Sequence, residues 1–439
     1  MTILNESGVP DVLSPLYAVN GLAERLPDAM IVVVGTRLET YLSRTLPANL
    51  TPEGRVPANP RVLSVILDPD EPPEQGQLAS WMIEATAGLR GIEFLLVVAG
   101  RSAELLGVDA AFEARIVSRR LTLPAKVVSP NANSPGCLST DLEDRALTAL
   151  VEACPEPAAE PAHSDPVPPK RGGFLGGLSL RGRSRAVEDR PSPVVLASSP
   201  SFGSGRELTE DLGRAGIEVA GSIPGSRSID LPPIGEGTVV ALSDPYLATA
   251  ARAAEVRGAR VVRTLMPVGM DGTSRFVQDV SAAAGRESEE PARAQEMWQR
   301  LERLRSRIRG KRIFFAGDTG IEVPLARFLA NAGAVVLEVG APRLDRQALG
   351  PEIQALGADV DVVESPDWRG QMKRIEESRP DLVVTSPGLY VPLVARGHLC
   401  RPSLDILQAG VHGYEGARRI LELFARTFER AEALDSVNL

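Results

Sequence analysis

The sequence contains little cysteine, and the cysteines it has are far apart. Three occur among 439 residues, Cys137, Cys154 and Cys400. None belongs to a C-x-x-C motif, and none has a histidine at the spacing that a metal site needs. We therefore interpret the three thiols as buried or incidental groups in a reducing compartment and expect no metal site made by this chain alone.

Three further absences limit the class of protein. No apolar run reaches the length of a membrane span, and the N-terminus lacks the basic and apolar regions of a signal peptide. Acidic residues outnumber basic ones by 57 to 48, a net charge of -9, and no long basic face is available for phosphates. We therefore expect a cytoplasmic protein that neither spans a membrane nor binds nucleic acid.

Nucleotide-binding fingerprints are also missing. No strand-helix turn carries G-x-G-x-x-G or G-x-x-x-x-G-K-[ST]. The segment Gly317 to Gly320 resembles part of such a loop, but it lacks the third glycine and the lysine, and we predict a tight turn. His398 and His412 lie on predicted loops, and we expect hydrogen-bonded structural or rim residues rather than bases. The motifs therefore predict no catalytic residue in this chain.

The clearest positive signal lies between Gly310 and Gly340. Ile313 to Ala316 is a short apolar run typical of a strand buried on both faces. A helix is predicted next, with Pro324 in its first turn and Gly333 just past its end. Another apolar run then completes a β-α-β unit. Because the same alternation recurs along the chain, we predict an α/β protein with parallel, doubly wound sheets.

This alternation divides the chain into three tandem Rossmann-like domains. We predict the first at residues 1–154, the second at 194–309 with a bridging helix at its end, and the third at 310–439. Residues 155–193 are rich in proline, glycine and arginine and bury too little apolar surface to offset their chain entropy, so we predict a disordered linker.

Two segments rich in turn formers follow predicted strands, Pro267 to Thr273 and Ser386 to Tyr390. Ligands of open α/β sheets bind at the carboxyl ends of the strands. We therefore predict two loops at this rim, with contacts to a ligand pocket or a partner.

Taken together, the segments resemble subunit N of the light-independent (dark-operative) protochlorophyllide reductases, a branch of the nitrogenase component 1-like family. The resemblance spans nearly the whole chain. It is carried by Phe315 to Pro342, Pro392 to Gly397, His412 to Tyr414, Asp244 to Tyr246 and Pro267 to Thr273.

This resemblance implies three Rossmann-like domains and a role in chlorophyll and bacteriochlorophyll biosynthesis. It also implies a hetero-oligomer in which N-type and B-type subunits bind protochlorophyllide between them and share a [4Fe-4S] cluster. A separate ATP-dependent iron-sulfur protein would supply the electrons.

The sequence departs from the family at the cluster. Aligned on the family pattern, Ser14, Glu39 and Arg101 occupy the positions of the three ligand cysteines. A guanidinium has no lone pair to give to iron, and these three side chains together do not form a ligand set. Cys137 is predicted near the same rim, but one thiol does not replace three. We hypothesise that Glu39 and Arg101 form an ion pair across the vacated site.

Two interpretations remain open. In the first, the chain is an N-type subunit of an ATP-dependent ferredoxin:protochlorophyllide oxidoreductase-like complex, non-catalytic alone, which supplies a tetrapyrrole pocket and subunit contacts and holds no cofactor itself. In the second, it is a cluster-free paralogue that acts as a scaffold, assembly factor or tetrapyrrole carrier. A nicotinamide-dependent enzyme is disfavoured because the phosphate-binding glycines are missing. We take the first as the prediction.

Overall fold

The structure, a computed structural model, describes most of the chain in nine segments. These are residues 2–8, 15–40, 61–87, 89–128, 138–157, 192–203, 205–288, 290–357 and 360–436. Most of the predicted linker, residues 158–191, lies outside the described residues. Ser14 and Cys137 lie outside them as well.

Short apolar segments form the β-strands, and several are buried along their whole length, as parallel strands covered on both faces must be. The strands in the described residues are β1 (Thr2–Asn5), β2 (Ala29–Gly35), β3 (Val62–Ile66), β4 (Phe94–Ala99), β5 (Ala125–Val128), β6 (Val194–Ala197), β7 (Val219–Ile223), β8 (Val239–Leu242), β9 (Arg260–Val262), β10 (Arg312–Ala316), β11 (Val335–Ala341), β12 (Asp361–Glu364), β13 (Leu382–Thr385) and β14 (Cys400–Pro402).

Helices connect successive strands, and most of them bury apolar residues. The helices described along their full length are Ala18–Arg25, Gln77–Thr86, Arg101–Leu105, Ala110–Leu121, Ser139–Ala153, Arg206–Arg214, Ala248–Val256, Gly269–Ala283, Glu290–Arg300, Glu302–Ile308, Glu322–Asn331, Gly350–Leu356, Trp368–Ser378, Pro387–Ala395, Ser403–Gln408 and Gly413–Ser436. Among the described helices, none is long and apolar enough to cross a bilayer.

Three parallel sheets result, in the orders β3-β2-β4-β5, β7-β6-β8-β9 and β1-β12-β11-β10-β13-β14. The α/β fold class predicted from the alternating pattern is therefore confirmed. The domain boundaries stay a prediction, and one strand departs from that division. Thr2–Asn5 pairs with Asp361–Glu364 at the edge of the third sheet, so the N-terminal segment lies with residues 310–439 rather than with the first sheet.

The core is continuous between neighbouring sheets. One cluster joins apolar side chains of β2 and β4 to those of β6 and β8, with the helix Ser139–Ala153 between the two sheets. Another covers one face of the third sheet and includes residues of the loops that follow β6 and β9. The carboxyl edges of the second and third sheets are thereby brought together.

The rim loop predicted at Pro267 to Thr273 is wrong, because the helix Gly269–Ala283 begins inside it. A Cβ added to Gly269 would lie 2.2 Å from the ring of Phe328, and one added to Gly272 would lie 2.4 Å from the carbonyl oxygen of Met266. These glycines allow close packing instead of ending a secondary structure element.

The second predicted loop, Ser386 to Tyr390, is also wrong. Ser386 caps the helix Pro387–Ala395 by accepting a hydrogen bond from the backbone N–H of Leu389 at 3.2 Å. The backbone N–H groups of the first helical turn have no partner inside the helix, so a proline there removes no helical hydrogen bond. The Pro387-Gly388 pair therefore starts a helix here instead of a turn.

The bridging helix predicted at the end of the second domain is divided in two. Glu290–Arg300 and Glu302–Ile308 are separated at Leu301. Apolar periodicity continues across the break, and for this reason the pattern alone did not reveal it.

Candidate functional site

Glu39 lies where two strand-helix turns of the first sheet meet. One turn follows β2 at Gly35, and the other follows β4 at Gly100. A Cβ added to Gly35 would lie 2.5 Å from Oε2 of Glu39, and one added to Gly100 would lie 3.0 Å from the same atom. Both glycines therefore leave space for the carboxylate at the carboxyl edge of the sheet.

The Glu39 carboxylate accepts hydrogen bonds from both turns. The backbone N–H of Thr36 donates to Oε2 at 2.9 Å, and the Thr36 hydroxyl lies 3.3 Å from the same oxygen. The Ser102 hydroxyl also donates to Oε2, while its backbone N–H donates to Oε1 at 3.3 Å. An anionic acceptor placed near helix N-termini in this way satisfies donors that have no partner inside the helix.

The predicted ion pair between Glu39 and Arg101 is wrong. Arg101 begins the short helix Arg101–Leu105 with its side chain exposed, and no ion pair joins it to Glu39. The donors on Thr36 and Ser102 already satisfy the carboxylate, so no cation is needed. Ser14, the third predicted position, lies outside the described residues.

Two of the three cysteines are described, and both are buried free thiols. Burial raises the pKa of Cys154 to about 11, partly opposed by Arg257, and raises the pKa of Cys400 to about 12. Within the described residues no group of three or more histidine, cysteine, aspartate or glutamate side chains could hold a metal ion.

The turn at Gly317 to Gly320 receives an anion from its own chain. The carboxylate of Glu322 accepts hydrogen bonds from the backbone N–H groups of Asp318 at 2.9 Å, Thr319 at 2.7 Å and Gly320 at 2.8 Å. A Cβ added to Gly317 would lie 2.0 Å from Cγ of Glu322. The turn therefore resembles a phosphate-binding loop in its donors, but a fully buried glutamate already accepts from them.

A junction forms where the helix Ser139–Ala153 meets the turn after β8. Asp144 accepts hydrogen bonds from the backbone N–H groups of Thr249 at 2.9 Å and Ala250 at 2.8 Å. A Cβ added to Gly320 would lie 2.9 Å from Leu138 and 3.2 Å from Tyr246. Segments at the carboxyl edges of the second and third sheets thus meet at the first turn of this helix. We call this place, where the start of the helix meets Gly320 and the turn that ends at Tyr246, the junction.

Two buried acids lie at the junction. Glu143 accepts hydrogen bonds from the Ser199 hydroxyl and from the backbone N–H of Ser201 at 2.7 Å, and burial raises its pKa to about 7. Asp244 accepts from the backbone N–H of Tyr246 at 2.8 Å, and burial raises its pKa to about 8. Desolvation disfavours the charged form of both groups.

The two acids differ in how far the sequence alone could have identified them. Asp244 belongs to the segment Asp244 to Tyr246 that carries part of the family resemblance, but no chemical role followed from it. Glu143 lies inside an amphipathic helix and has no local motif. Its partners Ser199 and Ser201 are more than 50 positions away, so only the tertiary structure reveals the contact.

His412 is not the hydrogen-bonded residue that we expected. It is buried, with its ring edge-on to Phe202, and neither ring nitrogen has a hydrogen-bond partner among the residues that the structure describes. Burial lowers its pKa to about 4, so the imidazole is neutral at physiological pH. His398 is half-buried beside the edge strand β14.

A cavity of about 380 Å³ opens between the second and third sheets. Apolar walls come from Leu242 and Met266, and Arg252, Thr264 and Gln347 add polar groups. None of the residues Pro267 to Thr273, where the first rim loop was predicted, lines this cavity.

Two apolar surfaces are exposed. Leu38, Ile66 and Leu105 lie at or beyond the ends of β2, β3 and β4, at the edge of the first sheet that carries Glu39, and are 67%, 50% and 76% exposed. The helix Pro387–Ala395 buries Leu393 and leaves Val391 and Val394 exposed among further apolar residues. Exposed apolar groups concentrated in this way mark surfaces that bind ligands or other chains.

Three parallel α/β sheets, with strand-helix turns at their carboxyl edges, define the fold class of this chain. The structure aligns with that of nitrogenase Cp1 at pH 6.5 with a TM-score of 0.64, covering 99% of this chain and 94% of the other at 14% sequence identity. A second nitrogenase Cp1 structure, at pH 5, also gives 0.64, with 11% identity over 96% of this chain and 88% of the other. These likenesses show the fold.

Sequence comparison then identifies the family. Residues 80–429 match the model of the nitrogenase component 1 type oxidoreductases, and the chain belongs to that family. It is 33% identical to light-independent protochlorophyllide reductase subunit N of Roseiflexus sp. (strain RS-1), over 99% of this chain and 95% of that protein. The subunit N of Heliobacterium modesticaldum is 30% identical over 98% and 97%. The predicted resemblance is confirmed.

Proposed function

We propose that this chain is the N-type subunit of a light-independent protochlorophyllide reductase-like complex in chlorophyll or bacteriochlorophyll biosynthesis. It supplies part of a tetrapyrrole pocket and the subunit contacts, and it does not ligate a [4Fe-4S] cluster. The observation that carries this proposal is that the Glu39 carboxylate, at a position where the resemblance implies a cluster ligand, accepts hydrogen bonds from both turns.

The chemistry of the donor set does not fit a cluster. Iron-sulfur clusters are held by thiolates, with few substitutes. Glu39 is committed to Thr36 and Ser102, and the exposed guanidinium of Arg101 is cationic and has no lone pair to donate. Neither described cysteine belongs to a group that could hold a metal. We therefore propose no electron-transfer step through a cluster held by this chain.

The apolar residues around Glu39 support a subunit contact at this edge. Leu38, Ile66 and Leu105 are among the most exposed large apolar side chains of the first sheet. A B-type subunit that covered them would bury apolar area at a favourable free energy of about 25 cal/mol per Å². The family's ATP-dependent iron-sulfur protein would then act on the complex rather than on this chain alone.

The pigment site is supported by two features on the third sheet and the junction. The helix Pro387–Ala395 presents Val391 and Val394 to solvent, which suits an apolar macrocycle or the chain that encloses it. The junction supplies buried acids, Glu143 and Asp244, near the same carboxyl edges. A tetrapyrrole offers both an apolar ring and polar oxygens to such a pocket.

The cluster-free scaffold or carrier remains a second candidate because the Glu39 contacts replace a redox site with a structural one. The two candidates differ in whether the complex reduces pigment. They share the prediction that this chain binds a tetrapyrrole and holds no iron.

The test is anaerobic purification of the chain, alone and with a B-type subunit, followed by iron and sulfide analysis and a visible spectrum with protochlorophyllide. We expect no iron in the isolated chain and a shifted pigment spectrum. Pigment reduction when the B-type subunit and the ATP-dependent protein are added supports the N-type subunit, and binding without reduction supports the carrier. Stoichiometric iron with a cluster absorption band in the isolated chain overturns the proposal.

A matched pair of variants tests the contact surface. Leu105→Asp places a charge in the exposed group around Glu39, whereas Val256→Asp changes an 83% exposed residue of the second sheet's helix. We expect only Leu105→Asp to weaken binding of the B-type subunit, measured by analytical ultracentrifugation. Equal binding by both variants would exclude this edge as the contact.

A further inference from the structure

Asp244 is a buried carboxyl group with one oxygen unused. Its side chain is 0% exposed, in the turn that directly follows β8. One oxygen, Oδ1, accepts the backbone N–H of Tyr246 at 2.8 Å. The other, Oδ2, has no hydrogen-bond partner among the residues that the structure describes. A buried polar atom without a partner costs on the order of 1–3 kcal/mol unless a ligand or an ordered water satisfies it.

Three hydroxyl groups at the junction share this property. Ser139 and Thr140 lie in the first turn of their helix, and Ser243 directly precedes Asp244. All three are at most 1% exposed, and within the described residues none of their oxygens has a hydrogen-bond partner. A Cβ added to Gly320 would lie 2.9 Å from Leu138, at the start of this helix, and 3.2 Å from Tyr246, two residues after Asp244, so the helix's first turn lies beside the turn that carries Asp244.

The groups around Asp244 are acidic or neutral. The helix Ser139–Ala153 contributes Asp141, Glu143 and Asp144, whose charges all disfavour ionisation of Asp244. The guanidinium of Arg343, which lies over the Tyr246 ring, is bound to Asp141 at 2.8 Å. No ion pair to Asp244 is formed in the described part of the chain. Burial together with these neighbours raises its pKa to about 8, so the neutral acid predominates at pH 7.

A neutral carboxylic acid has one O–H donor, and an ionised carboxylate has none. The same distinction decides what the junction binds. With Asp244 neutral, its O–H and the three hydroxyls offer four donors in a buried site, a set that suits a ligand oxygen with lone pairs. With Asp244 ionised, the site would instead favour a cation or a donor group.

We propose that the junction is a ligand subsite in which the acid group of Asp244, together with the hydroxyls of Ser243 and Thr140, donates hydrogen bonds to a carbonyl or carboxylate oxygen of the bound ligand. This inference rests on the proposed function, because protochlorophyllide is the ligand that carries such oxygens there. Asp244 then orients the macrocycle by its polar edge while apolar residues contact the ring.

Two substitutions test whether the Asp244 side chain acts as a hydrogen-bond donor or as an acceptor toward the ligand. Asp244→Asn keeps the side-chain shape and an N–H donor at the same position, whereas Asp244→Ala removes both polar atoms. We expect Asp244→Asn to bind protochlorophyllide within roughly twofold of wild type and Asp244→Ala to bind about tenfold more weakly. The matched control is Asp109→Ala, which removes an exposed helix cap far from the junction.

Infrared difference spectroscopy reports the protonation state directly. At pH 7 wild type should show a carboxylic acid C=O band that Asp244→Asn lacks, and pigment binding should shift that band. A double variant, Thr140→Val with Ser243→Ala, should weaken pigment binding while leaving the acid band of the free protein in place. Near-ultraviolet circular dichroism of each variant shows whether it is folded.

The outcomes distinguish this inference from the proposed function. If wild type fails to bind protochlorophyllide, both are overturned. If wild type binds it and Asp244→Ala binds equally well, the subsite alone is overturned. A loss of affinity in Asp244→Asn equal to that in Asp244→Ala, or an acid band at pH 7 that Asp244→Asn keeps unchanged, shows an ionised Asp244 and overturns the donor assignment.

Discussion

The guanidinium of Arg327 contacts the carboxylate of Glu352 at 2.6 Å, and the two side chains are 0% and 1% exposed. Arg327 also donates to the carbonyl oxygen of Val268 at 3.0 Å and pairs with Asp271. Glu352 in turn accepts the backbone N–H of Met266 at 2.6 Å. This buried group therefore joins the start of the helix Gly269–Ala283 to two helices of the third sheet.

Removal of Arg327 should destabilise the protein strongly. Arg327→Met leaves Glu352 buried without its cation, so we expect the free energy of unfolding to fall by about 3–5 kcal/mol. The double variant with Glu352→Gln removes both charges, and its loss should be smaller than that of Arg327→Met alone. Urea denaturation followed by circular dichroism measures both.

The control for Arg327 is an exposed ion pair of the same chemistry. Arg206 and Glu210 lie 2.9 Å apart with side chains 82% and 46% exposed. Arg206→Ala should change the free energy of unfolding by roughly 0.5 kcal/mol or less. Similar losses for Arg206→Ala and Arg327→Met would show that burial does not set the strength of the interaction.

Glu39 should act as a structural acceptor. Glu39→Ala removes the acceptor of the Ser102 N–H and hydroxyl, and we expect a loss of about 2 kcal/mol. The Thr36 N–H keeps a second acceptor, the Ser102 hydroxyl oxygen at 2.9 Å, so amide hydrogen exchange should become faster at Ser102 first. Glu104→Ala, on the exposed face of the same short helix as Ser102, is the control and should change neither quantity. Unchanged exchange at Ser102 in Glu39→Ala would contradict the assignment.

The raised pKa of Glu143 predicts a specific pH dependence of stability. In the unfolded chain its pKa is near 4.5, and burial raises it to about 7 in the folded state. Between these values the folded state binds more protons than the unfolded state, so the contribution of Glu143 to stability falls as pH rises from about 4.5 to 7. The shift corresponds to roughly 3 kcal/mol at 1.36 kcal/mol per pKa unit.

Glu143→Gln removes this titration and isolates the contribution of Glu143. We expect the difference in unfolding free energy between variant and wild type to move in favour of the variant across that pH range. Urea denaturation at several pH values measures it. A difference that stays constant from pH 4.5 to 7 would show that the pKa of Glu143 is the same in both states.

The described cysteines should be unreactive in the native protein. Because burial raises the pKa values of Cys154 and Cys400, very little nucleophilic thiolate is present at neutral pH. Alkylation with iodoacetamide at pH 7.5, mapped by mass spectrometry, should label neither residue until denaturant is added. Labelling of native Cys400 at the rate of a free thiol would disprove the burial assigned to it.

Local patterns predicted the sheets because the determinants are local. A run such as Ile313 to Ala316 must be buried on both faces, and Gly333, at φ +101, does end its helix as predicted. The turn at Gly317 to Gly320 was also predicted. The anion that its N–H groups bind, the carboxylate of Glu322, was not predicted, although Glu322 is only two residues further along the chain.

Features that depend on distant neighbours could not be predicted. The glycines at 269 and 272 were interpreted as turn formers, but they are required by the approach of Phe328 and Arg327 from another helix. Likewise, a pattern match placed Glu39 at the family's cluster position but could not show that Ser102, 63 residues away, would engage its carboxylate.

The pairing of Thr2–Asn5 with Asp361–Glu364 has a consequence for biosynthesis on the ribosome. Thr2–Asn5 is an edge strand of a sheet whose other strands begin at Arg312 or later, so the ribosome must translate most of the chain before this strand can pair. Once paired, it covers the edge of β12, which would otherwise be available to another chain. The third sheet therefore cannot be completed until the strand Asp361–Glu364 has been synthesised.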